Sequence, residues 1–518
     1  SVASGGRLFT LLAAGSTWAQ KDNLTWDIDP ALLSDVSVMT KPYFTQGEAD
    51  CSGRSHNKPS SAASTWLSQL KASTAGAAAF LAPYGNVDVA ALSHAGLEAN
   101  IKAAYQTGET VAGQILPGTF GKAGGSAGDG QVLKAAWPTD GQADAEVLTD
   151  LAHDAGINTV VLSSDELPSA SVGPFGGEDA LAKTISGMGT RMSVLLANAR
   201  ITSLLGTASA AASASSQFTL TQNFLAQTAM IAAEVPGASR SLVVAPPPGW
   251  DPSPAEANAL LKSTRDAPWL HPTGLSTLAV TAANLPSATQ VKAKEVSHSE
   301  LNDTYMDNIA DVTARLSTFE DLLYQPSARQ LTSLNAALAA TESSGWRGRG
   351  LTGGWKAAGQ LTQYLKDAEH KVQLIASQKV LLTGQSGKTA VSVLNGLGQA
   401  IQVKVTASTP LGSAVQVGQF NALVTVQGGG TNTVTMPVQS ATLGTTTLQL
   451  QLATKSGTPL TWDGAKQPLS VEVTRFGRSL LLVIAGALGI LVLTSAYRLR
   501  RKRLAGAKGD DTAEGSDG

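Results

Sequence analysis

Acidic and aromatic residues recur in the first half of the chain at one kind of place, the turn after a short apolar run: Asp27 and Asp29, Tyr84 and Asp88, Asp140, Asp165 and Glu166, Trp250 and Asp251. Paired carboxylates with rings beside them are the equipment of a carbohydrate site. One carboxyl can act as acid and another as nucleophile or base, while a ring packs on a sugar face. The same residue types have an ordinary use, because Asp stabilises turns and caps helix N-termini. Asp29 before Pro30 and Asp251 before Pro252 fit that use. Each position therefore carries both readings, and the set as a whole is the ligand-binding candidate. No catalytic assignment follows from spacing alone.

Other chemistries find less support. His56, His94, His153, His271, His298 and His370 are dispersed, without an HxxxH or HExxH pair, so no metal site and no cofactor are expected. Residues 124–128 match GxSxG but lie in a glycine-rich insert rather than at a strand-to-helix elbow. Gly387-Lys388-Thr389 lacks the earlier glycine of a phosphate-binding loop, since position 382 is Leu382. A net charge of -2 gives no global field for nucleic acid.

The elements that must position the candidates come next. Residues 8–19 read as a helix. Residues 24–28 read as a strand with Trp26 and Ile28 on one face, followed by a helix from Ala31, and residues 45–61 as an exposed loop. Strand, polar turn and helix then repeat: strands at 77–81, 132–137, 159–162, 193–197 and 242–245, with helices from Val89, Ala143 and Pro254. Such alternation implies a parallel sheet, either open or barrel-like, and its C-terminal edge would gather the candidates on one rim. Residues 1–290 are therefore expected to form an α/β, incomplete β/α barrel-like domain. Residues 291–377 carry helical spacing, as in Met306, Ile309, Val312 and Leu316, with the third helix expected over 356–375. From 378 to 476 the period becomes two, which predicts an antiparallel, immunoglobulin-like β-sandwich.

Residues 479–497, SLLLVIAGALGILVLTSAY, carry no charge. As a helix they reach about 28 Å, close to a bilayer core. Arg498, Arg500, Arg501, Lys502 and Arg503 follow, and positive charge marks the cytoplasmic side. The expectation is a single-pass plasma-membrane protein, with residues before 479 extracellular, 498–518 cytoplasmic and the polar end 509–518 disordered. Such a topology requires export, so an export signal upstream of Ser1 is expected. The one cysteine, Cys51, cannot form an internal disulfide, which suits a bacterial envelope. Charged residues are only 15% of the chain.

LTWDIDPALL, APYGNVDVAALSHAGL, WPTDGQADAEVLTDLAHDAGINTVVLS and VVAPPPGW together resemble an uncharacterised actinobacterial family of membrane-anchored envelope glycoproteins. Genes of that family commonly neighbour that of the lipid II flippase-like protein. The resemblance implies an α/β region, a sandwich and one C-terminal span. It also implies a distant similarity of the α/β region to polysaccharide deacetylases and some glycosidases, although the deacetylase metal motif is absent here. Two functions are expected: a scaffold that binds a glycan, a cell-wall precursor or an envelope protein partner, or a glycan-active hydrolase using two of the carboxylates.

Overall fold

The computed structural model describes residues 1–19, 23–46, 54–121, 132–167, 180–185, 189, 191–211, 213–234, 237, 239–285, 291, 299–382, 384–411, 413–474 and 478–505. Cys51, His298, most of the glycine-rich insert and the acidic tail lie outside the described residues. The chain divides into two compact units, Ser1–Leu316 with Pro326–Tyr364, and Ser317–Gln325 with Leu365–Gly518.

The first unit opens with α1 (Arg7–Trp18), β1 (Trp26–Ile28) and α2 (Pro30–Met39). Trp26 and Ile28 pack with Leu12, Leu33, Val36, Trp66 and Leu70, so the two-residue period of a strand turns Asp27 to the opposite face. Pro30 stands at the first turn of α2, where its missing N–H costs nothing. The expectation of a loop over 45–61 is corrected. β2 (Tyr43–Gln46) and β3 (Arg54–Asn57) form an antiparallel hairpin with Tyr43 opposite Asn57, and α3 (Ser61–Thr74) starts at the end of the supposed loop. Two four-residue strands dominated by polar side chains carry too little alternation to announce themselves.

Further on come β4 (Ala79–Leu81), α4 (Val89–His94), α5 (Glu98–Ile115), α6 (Pro117–Phe120), β5 (Ala135–Ala136), α7 (Ala145–His153) and β6 (Thr159–Ser163). They are followed by β7 (Leu181–Ile185), β8 (Arg191–Ala197), α8 (Ala199–Leu205), α9 (Ala214–Glu234), α10 (Pro254–Asp266) and α11 (Leu275–Ala283). β1 and β4 pair parallel, with Asp27 opposite Phe80. A parallel bridge from Ala79 to Val132 leads on toward β5, which pairs parallel with β6, and β6 pairs parallel with β8. Helices separate β1 from β4, β4 from β5 and β5 from β6, while β7 lies between the parallel neighbours β6 and β8, and the N-terminal region is α/β. Two expected strands shrink: 132–137 keeps only the two residues of β5 and the bridge at Val132, and 242–245 keeps a bridge from Val243 to Ala197. β7 was not foreseen; it adds antiparallel to β8.

The helical middle comprises α12 (Asp303–Leu322), α13 (Ala328–Thr341) and α14 (Leu351–Glu369). The third helix ends at Glu369, short of the expected 375. Residues 372–376 are instead β9 (Val372–Ala376), with Val372 and Leu374 buried and Gln373 and Ile375 exposed, a strand's period rather than a helix's.

The second unit continues with β10 (Lys379–Leu382), β11 (Ser386–Asn395), β12 (Ile401–Ser408), β13 (Val415–Val417), β14 (Leu423–Val426), β15 (Thr431–Ser440), β16 (Gly444–Thr454) and β17 (Lys466–Val473). One sheet runs β10-β17-β16-β12-β14 and the other β13-β15-β11-β9. All pairings are antiparallel except β10 with β17, which the uniform antiparallel expectation missed. Val391, Val393, Val403, Val405, Leu448, Leu450 and Leu452 alternate inward from both sheets. The last element is α15 (Arg478–Ala505), whose apolar stretch Val483–Arg500 is long enough to cross a membrane and is not buried by protein.

Candidate functional site

The candidate residues resolve into groups held by different elements of the first unit. Asp27 projects from β1 on the face away from the apolar cluster. Solvent reaches the residue, while neighbouring protein desolvates its carboxyl and, with Asp29 adding repulsion, pushes it up to about 7. No side-chain hydrogen bond to Asp27 is present among the described residues. Nearby, burial and then Asp27 hold the Tyr105 hydroxyl above its ordinary value.

Asp29 has a structural duty. It accepts hydrogen bonds from the Ala31 amide at 2.8 Å and the Gly85 amide at 3.2 Å, capping α2 and tying it to the turn after β4. Gly85 adopts φ +71° there, a left-handed conformation that glycine takes without strain, and an added Cβ would stand 3.3 Å from the Ala339 carbonyl oxygen. Tyr84, in the same turn, is buried. Burial raises its hydroxyl against a hydrogen bond with Ser34. Asp27, Asp29 and Tyr84 therefore do come together. By contrast, α10 is not capped by Asp251: Ser253 caps it, in a reciprocal capping box with Glu256.

Asp88 is 0% exposed and fully engaged. Its carboxylate accepts from Arg347 Nε at 2.7 Å and Nη2 at 2.6 Å, from the Leu301 amide at 3.1 Å and from the Ala91 amide at 3.3 Å, the last capping α4. Arg347 also lies 3.8 Å from Asp140, whose side chain is half exposed. Asp140 itself sits in a tight turn at φ 60°, and Gly141 follows at φ +68° because a Cβ would stand 2.6 Å from the Ser163 amide nitrogen. That packing brings Asp140 alongside the end of β6. Asp165 is exposed there and donates its amide to Ser163 Oγ at 3.4 Å, while Glu166 is half-buried.

Trp250 belongs elsewhere. Its ring packs against the cluster of Ile201, Leu205, Leu220, Phe224 and Leu260, with its indole N–H buried and unpartnered, and its carbonyl accepts from Arg7 at 3.4 Å. Its described partners are this apolar cluster and Arg7 rather than the carboxylates.

Two constellations escaped the sequence. His94 at the end of α4 bridges Glu300 Oε2 through Nδ1 at 2.8 Å and Asp144 Oδ2 through Nε2 at 3.0 Å, and Asp144 also caps α7. Burial alone would lower the imidazole, but the two carboxylates together hold it above its ordinary value. Glu342 is buried, accepts from Asn100 Nδ2 at 2.6 Å, and is pushed up to about 7 by that burial against the stabilising bond. Asn100 also donates to Thr313 at 2.8 Å, and Tyr305 donates to the Thr341 carbonyl at 2.6 Å. The sequence showed a helix from Ala143 but not its Asp144 cap, nor partners 50 and some 200 positions away. Among the described residues no group of His, Cys, Asp and Glu could hold a metal ion.

No curated protein matches the chain. Solved structures similar to part of it include WR4, a Caenorhabditis elegans MSP family member, at 9% identity over 20% of this chain and 98% of that one, with a TM-score of 0.16. The PapD-like domain of human CEP192 gives 9% identity over 20% and 86%, with a TM-score of 0.16. A FixG-related protein from Vibrio parahaemolyticus gives 14% identity over 20% and 94%, with a TM-score of 0.15. One family model spans residues 9–504, and by that match the chain belongs to DUF6049, a family of unknown function.

Proposed function

We propose that this chain is a single-pass plasma-membrane protein of the bacterial cell envelope whose α/β region binds a glycan, a cell-wall precursor or an envelope partner without cleaving it. The observation that carries the reading is the fate of the carboxylates. Hydrolysis of a glycosidic bond asks for two of them facing one cleft. Asp88 is neutralised by Arg347 and two amides, Asp29 caps a helix, and Asp140 faces the same arginine. Asp27, a solvent-reached carboxyl near Asp29 and Tyr105, carries no such duty and is suited to accept from or donate to a hydroxyl. On this reading residues 1–290 form an incomplete barrel with the candidate site at its rim, the helical segment and an immunoglobulin-like sandwich follow, and α15 anchors the whole. The basic run 498–503 places the C-terminus in the cytoplasm. The resemblance of the LTWDIDPALL and APYGNVDVAALSHAGL stretches supports an actinobacterial envelope glycoprotein with a distant kinship to deacetylase-type barrels.

A glycan-active hydrolase is the second reading, favoured by the raised Asp27 carboxyl, which at neutral pH can serve as a general acid with Asp29 as its pair. One experiment separates the two. The full chain in nanodiscs is titrated with defined cell-wall glycans, and products are followed in parallel, for wild type and Asp27→Asn. Saturable binding without product, weakened about tenfold or more by Asp27→Asn, supports the binder. Product formation abolished by Asp27→Asn establishes the hydrolase, and binding unaffected by the substitution removes Asp27 from the site.

A further inference from the structure

The sandwich end from which the chain enters α15 is unlike the opposite end. β17 finishes at Val473, where it pairs with Gly444 on one side and Leu382 on the other. Five peptide steps then lead to Arg478, a reach of at most about 18 Å. Three connections share this end. Val415 pairs with Ser440, the Ala441 amide donates to the Ala414 carbonyl, and the Ser440 amide donates to the Gln385 carbonyl. The described parts of these connections, 384–385, 409–411 with 413–414, and 441–443, therefore lie together beside the end of β17.

Their composition is uniform. Residues 383–385 read TGQ, 409–414 TPLGSA and 441–443 ATL, without a charge among them. Leu411 is 106% exposed and Leu443 53%, and Leu381 at the end of β10 is exposed as well. At the opposite end leucines of the connections are buried, Leu397 at 9% and Leu460 at 1%. Leucines at the tips of charge-free loops have no stabilising role within the sandwich, and a soluble surface would carry charge there.

Given the reading that α15 spans the bilayer, we infer that these three loops rest on the lipid surface, with Leu411 and Leu443 inserted among the headgroups and upper acyl chains of the leaflet that α15 enters. The short tether holds this end near the interface, so insertion costs little further loss of freedom. Apolar burial drives it, and the loops themselves add no charge that would favour anionic over neutral lipid. The sandwich is then a foot standing on the membrane rather than a bead on a flexible stalk.

The test uses the full chain in a Cys51→Ser background in nanodiscs, with spin labels at Leu411→Cys, Leu443→Cys, Gln427→Cys at the opposite end, and Leu488→Cys within α15. Expected is an oxygen-to-nickel-complex accessibility ratio at least threefold higher at 411 and 443 than at 427, unchanged between neutral and anionic lipid. Labels at 411 and 443 that match 427 while 488 reports the bilayer interior overturn the docking and leave the anchor standing. An aqueous label at 488 overturns the anchor itself. On the unsubstituted chain, a bilayer-dissolved carbene reagent must mark residues 409–411 and 441–443; labelling confined to α15 is equally decisive against the proposal.

Discussion

Replacing Arg347 by Ala isolates the most buried ion pair of the first unit. Asp88 is 0% exposed, and two of the four donors on its carboxylate come from Arg347. The backbone amides of Ala91 and Leu301 remain after the substitution, but a full charge stays behind in a site that water does not reach. Removing one partner of such a pair costs about 3–5 kcal/mol, most of it the penalty on the stranded charge. The contact to Asp140 decides nothing by comparison: at 3.8 Å and half exposed it is worth under about 1 kcal/mol. Chemical and thermal unfolding of the full chain in nanodiscs, followed by tryptophan fluorescence, should show the loss in the transition of the α/β unit. Asp140→Asn should leave that transition within about 1 kcal/mol of wild type. The double variant Asp88→Asn with Arg347→Met should lose less than the sum of its singles, by about 2 kcal/mol or more. An Arg347→Ala protein as stable as wild type would refute the reading that Arg347 neutralises a buried Asp88 charge.

Three further outcomes follow from the geometry. Glu342, raised to about 7, and His94, raised by its two carboxylates, have folded values above their unfolded ones, so the stability each contributes is full at low pH and falls as pH rises through the folded value. The first unit should be more stable at pH 5 than at pH 8, and Glu342→Gln, which keeps an acceptor for Asn100, should gain on the order of 3 kcal/mol at pH 8 and little at pH 4 in denaturant titrations. Trp250→Ala should cost about 3 kcal/mol, the low end for an aromatic removed from packing, and leave glycan binding unchanged; lost binding at unchanged stability would return the ring to the site. A C-terminal tag should survive protease added to spheroplasts, and its removal would reverse the orientation read from the basic run.

How far the sequence led depended on the range of the interaction. Trp26, Ile28 and Pro30 announced a strand face and a helix start because those signals lie within a few residues. The parallel character of the sheet was accessible from the alternation of strand and helix, but β2, β3 and β7, which interrupt that alternation, were not. The candidate residues were named, but not all their duties. Asp29 before Pro30 did read as a cap, as did Asp251 before Pro252, yet Ser253 holds the second duty, and Asp88 looked like Asp27 until Arg347 appeared beside it. His94 was passed over because its carboxylates, Asp144 and Glu300, stand 50 and 206 positions away. β9 was absorbed into α14 because the turn between them, His370-Lys371, carries neither Gly nor Pro.

The pairing of Asp88 with a residue 259 positions later sets a clock. At ~5–20 residues per second of synthesis, Arg347 follows Asp88 by roughly ten to fifty seconds. Throughout that interval the carboxylate has no arginine, and burying it unpaired would cost several kcal/mol. A chain that stops between those two points therefore lacks the partner that lets Asp88 sit dry.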